Sequence, residues 1–227
     1  MLIFLHRLRS YSPRGPVSPR RSQGGFTLTE LMVVISIMTI LTSVFLLQQR
    51  QFDSSTLLRS FAYSVALSIR EAQTYGVSVR SFEFGGVERF SQAHGIHFEH
   101  GDLPNFYLFA DIDPLPDGNR VRNSDLSEDV ETFGPTGSQF TISTFCATPI
   151  GQTEKCAPAD IDSLTIMFIR PNPDACIATS DNDTACVSGD LGEKYEQARI
   201  QVQGPGGVTR SVYVTTTGQI YVGGAGI

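Results

Sequence analysis

The segment Phe26–Leu47, FTLTELMVVISIMTILTSVFLL, constrains this chain more than any other, because water is a poor solvent for every face of it. Its 22 residues contain no Gly or Pro and a single charge, Glu30. As a helix they rise roughly 33 Å, about the hydrocarbon thickness of a bilayer. The segment exceeds the roughly 7–15 apolar residues of a secretory signal, and no small-x-small cleavage site follows it. A membrane-spanning helix is therefore expected. A carboxylate at the centre of a bilayer costs about 2.5–3.5 kcal/mol and less toward the interface. Glu30 therefore either sits at headgroup level, favoured by the positive helix end, or has a partner.

Charge is distributed unevenly around this segment. Residues 1–25 hold Arg7, Arg9, Arg14, Arg20 and Arg21 and no acid, whereas the remainder carries 12 bases against 23 acids, a net of −11. Basic flanks stay cytoplasmic, so the acidic body is expected on the exported side. An acidic body is a poor default ligand for nucleic acid, whose affinity depends on clustered Lys and Arg. The 21 Gly and 12 Pro follow no period, which excludes a collagen-like chain.

The string RSQGGFTLTELMVVISIMTIL resembles the signature of type IV prepilins: a basic leader, Gly, Phe, Glu five residues into the mature chain, then an apolar helix. The resemblance implies that a membrane-embedded prepilin peptidase cuts after Gly25 and N-methylates Phe26, leaving the apolar segment in place. It also implies that Glu30 is an assembly residue, pairing with the Phe26 ammonium of a neighbouring subunit. The chemistry is coherent. Gly25 offers an unhindered scissile bond, and Phe26 and Glu30 lie four positions apart, on one side of a helix. The leader carries Pro13, Pro16 and Pro19 and is longer than that of many prepilins. No proline lies between Phe26 and Tyr75, whereas many major pilins have one in the membrane helix.

Past the membrane segment, Leu58, Phe61, Ala62, Val65, Ile69 and Ala72 recur at three- and four-residue steps, predicting an amphipathic helix that packs on a sheet. Gly76 is expected to stop it, and Asp53-Ser54-Ser55 offers a cap where the helix could kink. Strand-like runs follow at 77–84, 95–99, 106–110, 139–145, 164–169, 199–203, 210–215 and 219–222, with Gly204-Pro205-Gly206-Gly207 as a hairpin turn. The expected fold class is α+β, a long amino-terminal helix on an antiparallel sheet. The expected division is leader 1–25, transmembrane helix 26–47, amphipathic helix 48–76 and β-rich head 77–227. The stretch from Ile166 to Ala175, with ARIQVQ and RSVYVTTTGQIYV, resembles the carboxyl half of minor pseudopilins of type II secretion and of pilin-like subunits of DNA uptake. Some DNA-uptake members carry bases after the final Thr-Gly; here Thr217-Gly218 is followed by Gln219, Ile220 and Tyr221.

Cys146, Cys156, Cys176 and Cys186 are even in number, fall in the exported part and form no CxxC, which favours disulfides over zinc. Three connectivities are open. Cys146–Cys156 with Cys176–Cys186 is the expected one, since each bridge then staples a short polar loop. Asp111, Asp113 and Asp117 suggest a calcium loop of hard oxygen ligands, but Pro114-Leu115-Pro116 breaks the EF-hand spacing. A solvated acidic turn is the expected reading and calcium the alternative. His94, His97 and His100 are read as surface histidines, because a strand puts His97 opposite the other two. No nucleophile elbow, phosphate loop or HExxH is present.

Taken together, the residues and the resemblance imply a structural subunit rather than an enzyme, without a cofactor unless calcium. It would be a minor pilin or pseudopilin held in the bacterial inner membrane before assembly into a pilus or pseudopilus. Its partners would be prepilin peptidase and other subunits. A DNA-binding minor pilin for transformation and a major pilin are the alternatives.

Overall fold

The computed structural model describes residues 25–78, 81–84, 86–90, 92–112, 120–123, 128–134, 139–183, 186 and 194–224. The chain divides into two units, Met1–Leu47 and Gln48–Ile227. A single helix, α1 (Leu28–Val77), contributes to both. Asp53–Ser55 lies inside it rather than at a new amino terminus.

In the first unit every described residue from Gly25 to Leu46 is exposed. The stretch Leu28–Leu46 is long and apolar enough to cross a membrane, and no part of it is buried. Its polar side chains turn inward on the helix itself. Ser36, Thr39, Thr42 and Ser43 each donate to the carbonyl four residues back, at 2.7–2.8 Å. The hydroxyls are thereby satisfied without water.

The second unit packs antiparallel strands on one face of the carboxyl half of α1. They are β1 (Phe82–Phe84), β2 (Val87–Arg89), β3 (His94–Glu99), β4 (Phe106–Ala110), β5 (Asp129–Phe133) and β6 (Thr141–Pro149). There follow β7 (Lys155–Cys156), β8 (Ser163–Phe168), β9 (Ala175–Thr179), β10 (Tyr195–Gln203), β11 (Thr209–Thr215) and β12 (Ile220–Gly223). One sheet has the order β12-β11-β10-β6-β7, the other β5-β4-β3-β8-β9, and β1 and β2 form a separate hairpin. The described structure is thus α+β, with Gly204–Gly207 turning β10 into β11.

The predicted stripe is the face that α1 buries. Leu58, Ala62, Val65, Ile69 and Ala72 are at most 1% exposed and share one core with Phe98, Leu108 and Ile166 of one sheet and Phe145, Ile200 and Val212 of the other. Two small-residue contacts set the helix against the strands. A Cβ at Gly76 would lie 2.5 Å from the Phe168 carbonyl oxygen, so Gly76 is there for close approach, and the helix runs one residue past it. The Gln73 amide donates to the carbonyls of Pro173 and Gly218, 2.9 Å each. Gly218 holds φ +78°, and a Cβ there would strike the Pro173 oxygen, so only glycine fits.

Sequence patterning follows burial closely in β10. Ala198, Ile200 and Val202 face the core in alternation, while Tyr195 is buried out of phase. A register shift between Tyr195 and Gln197 accounts for the phase change, since an extra residue reverses which face the chain presents. β3 behaves differently, because it is central and covered on both faces: His94 to Phe98 are all buried. The expectation of surface histidines is therefore corrected for His94 and His97, while His100 is exposed. Gly95 makes room for the Phe109 ring, which a Cβ would approach to 2.9 Å.

Ile69→Ala is expected to cost about 2–5 kcal/mol of head stability. Leu67→Ala, at a position 67% exposed on the same helix, should stay within about 0.5 kcal/mol. Denaturant unfolding of the detergent-solubilised chain, followed by near-UV circular dichroism, measures both.

Candidate functional site

At the start of α1 the local geometry is that of a capped helix. Thr27 Oγ1 accepts the Glu30 amide at 3.2 Å, and the Thr27 carbonyl accepts the Leu31 amide at 3.1 Å. Thr27 and Glu30 stand in the Thr-x-x-Glu spacing of a capping box, so Thr27 marks the helix start next to Gly25 and Phe26. Glu30 sits in the first turn, where the helix dipole favours an anion. Its carboxylate makes no hydrogen bond or ion pair among the described residues. Phe26 is 82% exposed, and a Cβ at Gly25 would meet nothing within 4 Å, so the Gly25–Phe26 bond is open to an approaching active site. The chemistry on offer is a reachable peptide bond, a carboxylate free to take a cation, and an uncovered apolar rod behind them.

In the head, the four cysteines form two bridges, Cys146–Cys156 and Cys176–Cys186. The first joins directly paired residues of β6 and β7. Arg199, on β10, lies beside it: Nη2 is 3.0 Å from Cys146 Sγ and 3.7 Å from Cys156 Sγ. The same guanidinium holds Glu154 through Nε at 2.8 Å and Nη2 at 2.6 Å. The hydrogen bond to Glu154 raises the Arg199 pKa further above its ordinary value, against the pull of burial. Cys146, Glu154 and Cys156 cluster closely enough to suggest metal ligands. With the sulfurs joined and the carboxylate bound to Arg199, that donor set is occupied by the protein itself.

Of the three aspartates considered for calcium, Asp113 and Asp117 lie outside the described residues. Asp111 is buried, and its Oδ2 accepts the Arg120 amide at 3.0 Å. Nearby, fully buried Glu128 accepts amides from Ile112 at 3.3 Å and Asn123 at 2.7 Å. These carboxylates hold the backbone at Ile112, Arg120 and Asn123, and Arg120 Nη1 reaches the Cys186 carbonyl at 3.3 Å.

The three histidines do not converge. His94 packs edge-on against Tyr75, while His97 lies on the other face of β3, its Nδ1 2.9 Å from Thr165 Oγ1. Arg122 covers that face, with its guanidinium 3.7 Å above the Tyr107 ring and paired with Asp129 at 2.6 and 2.8 Å. Burial, then the positive Arg122, lower the His97 pKa from 6.5 to about 4, with Asp129 opposing. Elsewhere Asp181 accepts from Lys155, Thr179 and Tyr195, and these bonds outweigh burial to hold its carboxyl below the ordinary range.

These features define a chain whose recognisable chemistry lies at its amino-terminal motif. Residues 20–46 match the family model of the prokaryotic N-terminal methylation motif, and the match supports a type IV pilin-like prepilin. The motif implies processing by prepilin peptidase and assembly with other pilins, and it indicates a structural subunit. No curated protein and no solved structure matches the chain significantly.

The His97 shift has a pH consequence. The unfolded imidazole binds its proton near pH 6.5 and the folded one only near 4, so the His97 contribution to stability is fully present above about pH 6.5 and is lost as pH falls toward 4. The full loss is on the order of 3 kcal/mol. His97→Gln should flatten this decline relative to the unmodified chain, as read from urea midpoints between pH 7 and 4.

Proposed function

We propose that this chain is a minor pilin or pseudopilin, a structural subunit of a type IV pilus or a type II secretion pseudopilus. Prepilin peptidase cuts after Gly25 on the cytoplasmic side and methylates Phe26. The protein is then held in the inner membrane by residues 26–47, with residues 48–227 exported. During assembly the helix leaves the bilayer for the filament core, and Glu30 pairs with the amino terminus of a neighbouring subunit.

One observation carries this reading: among the described residues, a carboxylate without a partner and an uncovered Gly25–Phe26 bond stand at the head of a helix whose apolar surface is uncovered from Leu28 to Leu46. An apolar rod of that length needs lipid or other helices around it. The carboxylate needs a cation once it enters such surroundings. The ammonium freed at Phe26 supplies one. The uninterrupted run without proline from Phe26 to Tyr75 favours a minor over a major subunit. The net of −11 outside the leader favours a subunit that binds protein rather than DNA.

Intact-mass analysis of the chain purified from cells with an active prepilin peptidase should show loss of residues 1–25 and one added methyl at Phe26. Gly25→Ala should leave the leader attached. Glu30→Ala should be processed normally yet drop at least about tenfold in sheared filaments, measured by quantitative immunoblot. Normal incorporation of Glu30→Ala would remove the pairing role.

A further inference from the structure

The amino-terminal motif leaves one reactive arrangement in the head unused: the bridge between β6 and β7 with Arg199 against it. Its two sulfurs differ in access. Cys146 is fully buried, whereas Cys156 is partly exposed on β7, the two-residue edge strand of its sheet. An incoming thiolate therefore reaches Cys156 Sγ, and the sulfur it must expel is that of Cys146. Arg199 Nη2 stands 3.0 Å from that leaving sulfur, nearer than to the attacked one. A cation beside a leaving thiol lowers its pKa and speeds its departure.

We propose that Cys146–Cys156 is a thiol–disulfide exchange site, attacked at Cys156 by a dithiol reductant and assisted by Arg199 at Cys146. The attacking thiol loses its proton to water and forms a new S–S bond with Cys156. The Cys146–Cys156 bond breaks, and its electron pair stays on Cys146 as a thiolate paired with Arg199. The second thiol of the reductant then closes on the mixed disulfide and releases Cys156. The protein gains two electrons and the dithiol becomes a disulfide. Exchange also removes the covalent hold on β7 and opens the β6 edge at Cys146 and Ala147, the two residues that β7 covers.

Glu154 sets the rate in the opposite sense. It shares the guanidinium with Cys146, and its carboxylate lies within 4.8 Å of the Cys156 sulfur, where it places a negative charge. Removing Arg199 should therefore slow exchange, and removing the Glu154 charge should quicken it. A merely structural role for this ion pair predicts something else. Loss of either partner would loosen the edge and quicken exchange in both.

The experiment uses the full chain in detergent micelles at pH 8 with limiting dithiothreitol, quenched with N-ethylmaleimide and read by peptide mass mapping of both bridges. Arg199→Leu is expected to reduce Cys146–Cys156 roughly three- to tenfold more slowly, with Arg199→Lys in between. Glu154→Gln is expected to be about two- to fivefold faster. The Cys176–Cys186 rate, measured in the same samples, should not change. Changes of the same sign in Arg199→Leu and Glu154→Gln, or no change in either, overturn the proposal.

Discussion

The head depends on one buried stripe. Leu58, Ala62, Val65, Ile69 and Ala72 share one core with two five-stranded sheets, which also meet each other where the Phe98 ring lies 6.2 Å from that of Phe145. Without that stripe each sheet would leave a face of Phe, Ile and Val side chains in water, a loss that no surface ion pair could offset. The helix is correspondingly plain on this face. Small Ala62 and Ala72 let the strands approach, and Gly76 lets the Phe168 backbone come closer still. Polar fastenings then fix the orientation: Gln73 onto two loop carbonyls, and Arg70 onto the Ile220 carbonyl at 3.4 Å.

The same helix obeys a different solvent at its other end. From Leu28 to Leu46 its apolar side chains are exposed without an inward-facing stripe, and hydroxyls fold back on the backbone. One element thus carries two patterns, each matched to its surroundings. Periodic burial serves the globular part, and uniform apolarity serves lipid or helix neighbours. Glu30 is the exception within the second pattern, and it falls in the first turn, where the helix dipole favours an anion.

Much of this was legible in the chain itself. The amino-terminal motif could be read because it is contiguous, residues 20–46, and the helix stripe because its spacing is regular. The strands with clear alternation, such as Arg199–Gln203 and Arg210–Thr215, were equally plain. What escaped was what depends on pairing. β5 is acidic and half exposed and β7 is two residues long, so neither carries an apolar signature of its own, and β9 is a five-residue edge strand between polar stretches. The buried histidines escaped for the same reason. Nothing local reveals that β3 is central and covered on both faces, with α1 beside His94 on one and Thr165 and Arg122 on that of His97. Arg199 meets Cys146 and Glu154 only through the register of β10 on β6, across 53 and 45 positions.

The anchoring of Gln73 has a mechanical side. Its two acceptors, the Pro173 and Gly218 carbonyls, sit in loops that adjoin different sheets, so a pull along the helix axis is shared between both. One side chain thus ties the helix to loops of both sheets, and its loss would free the two together.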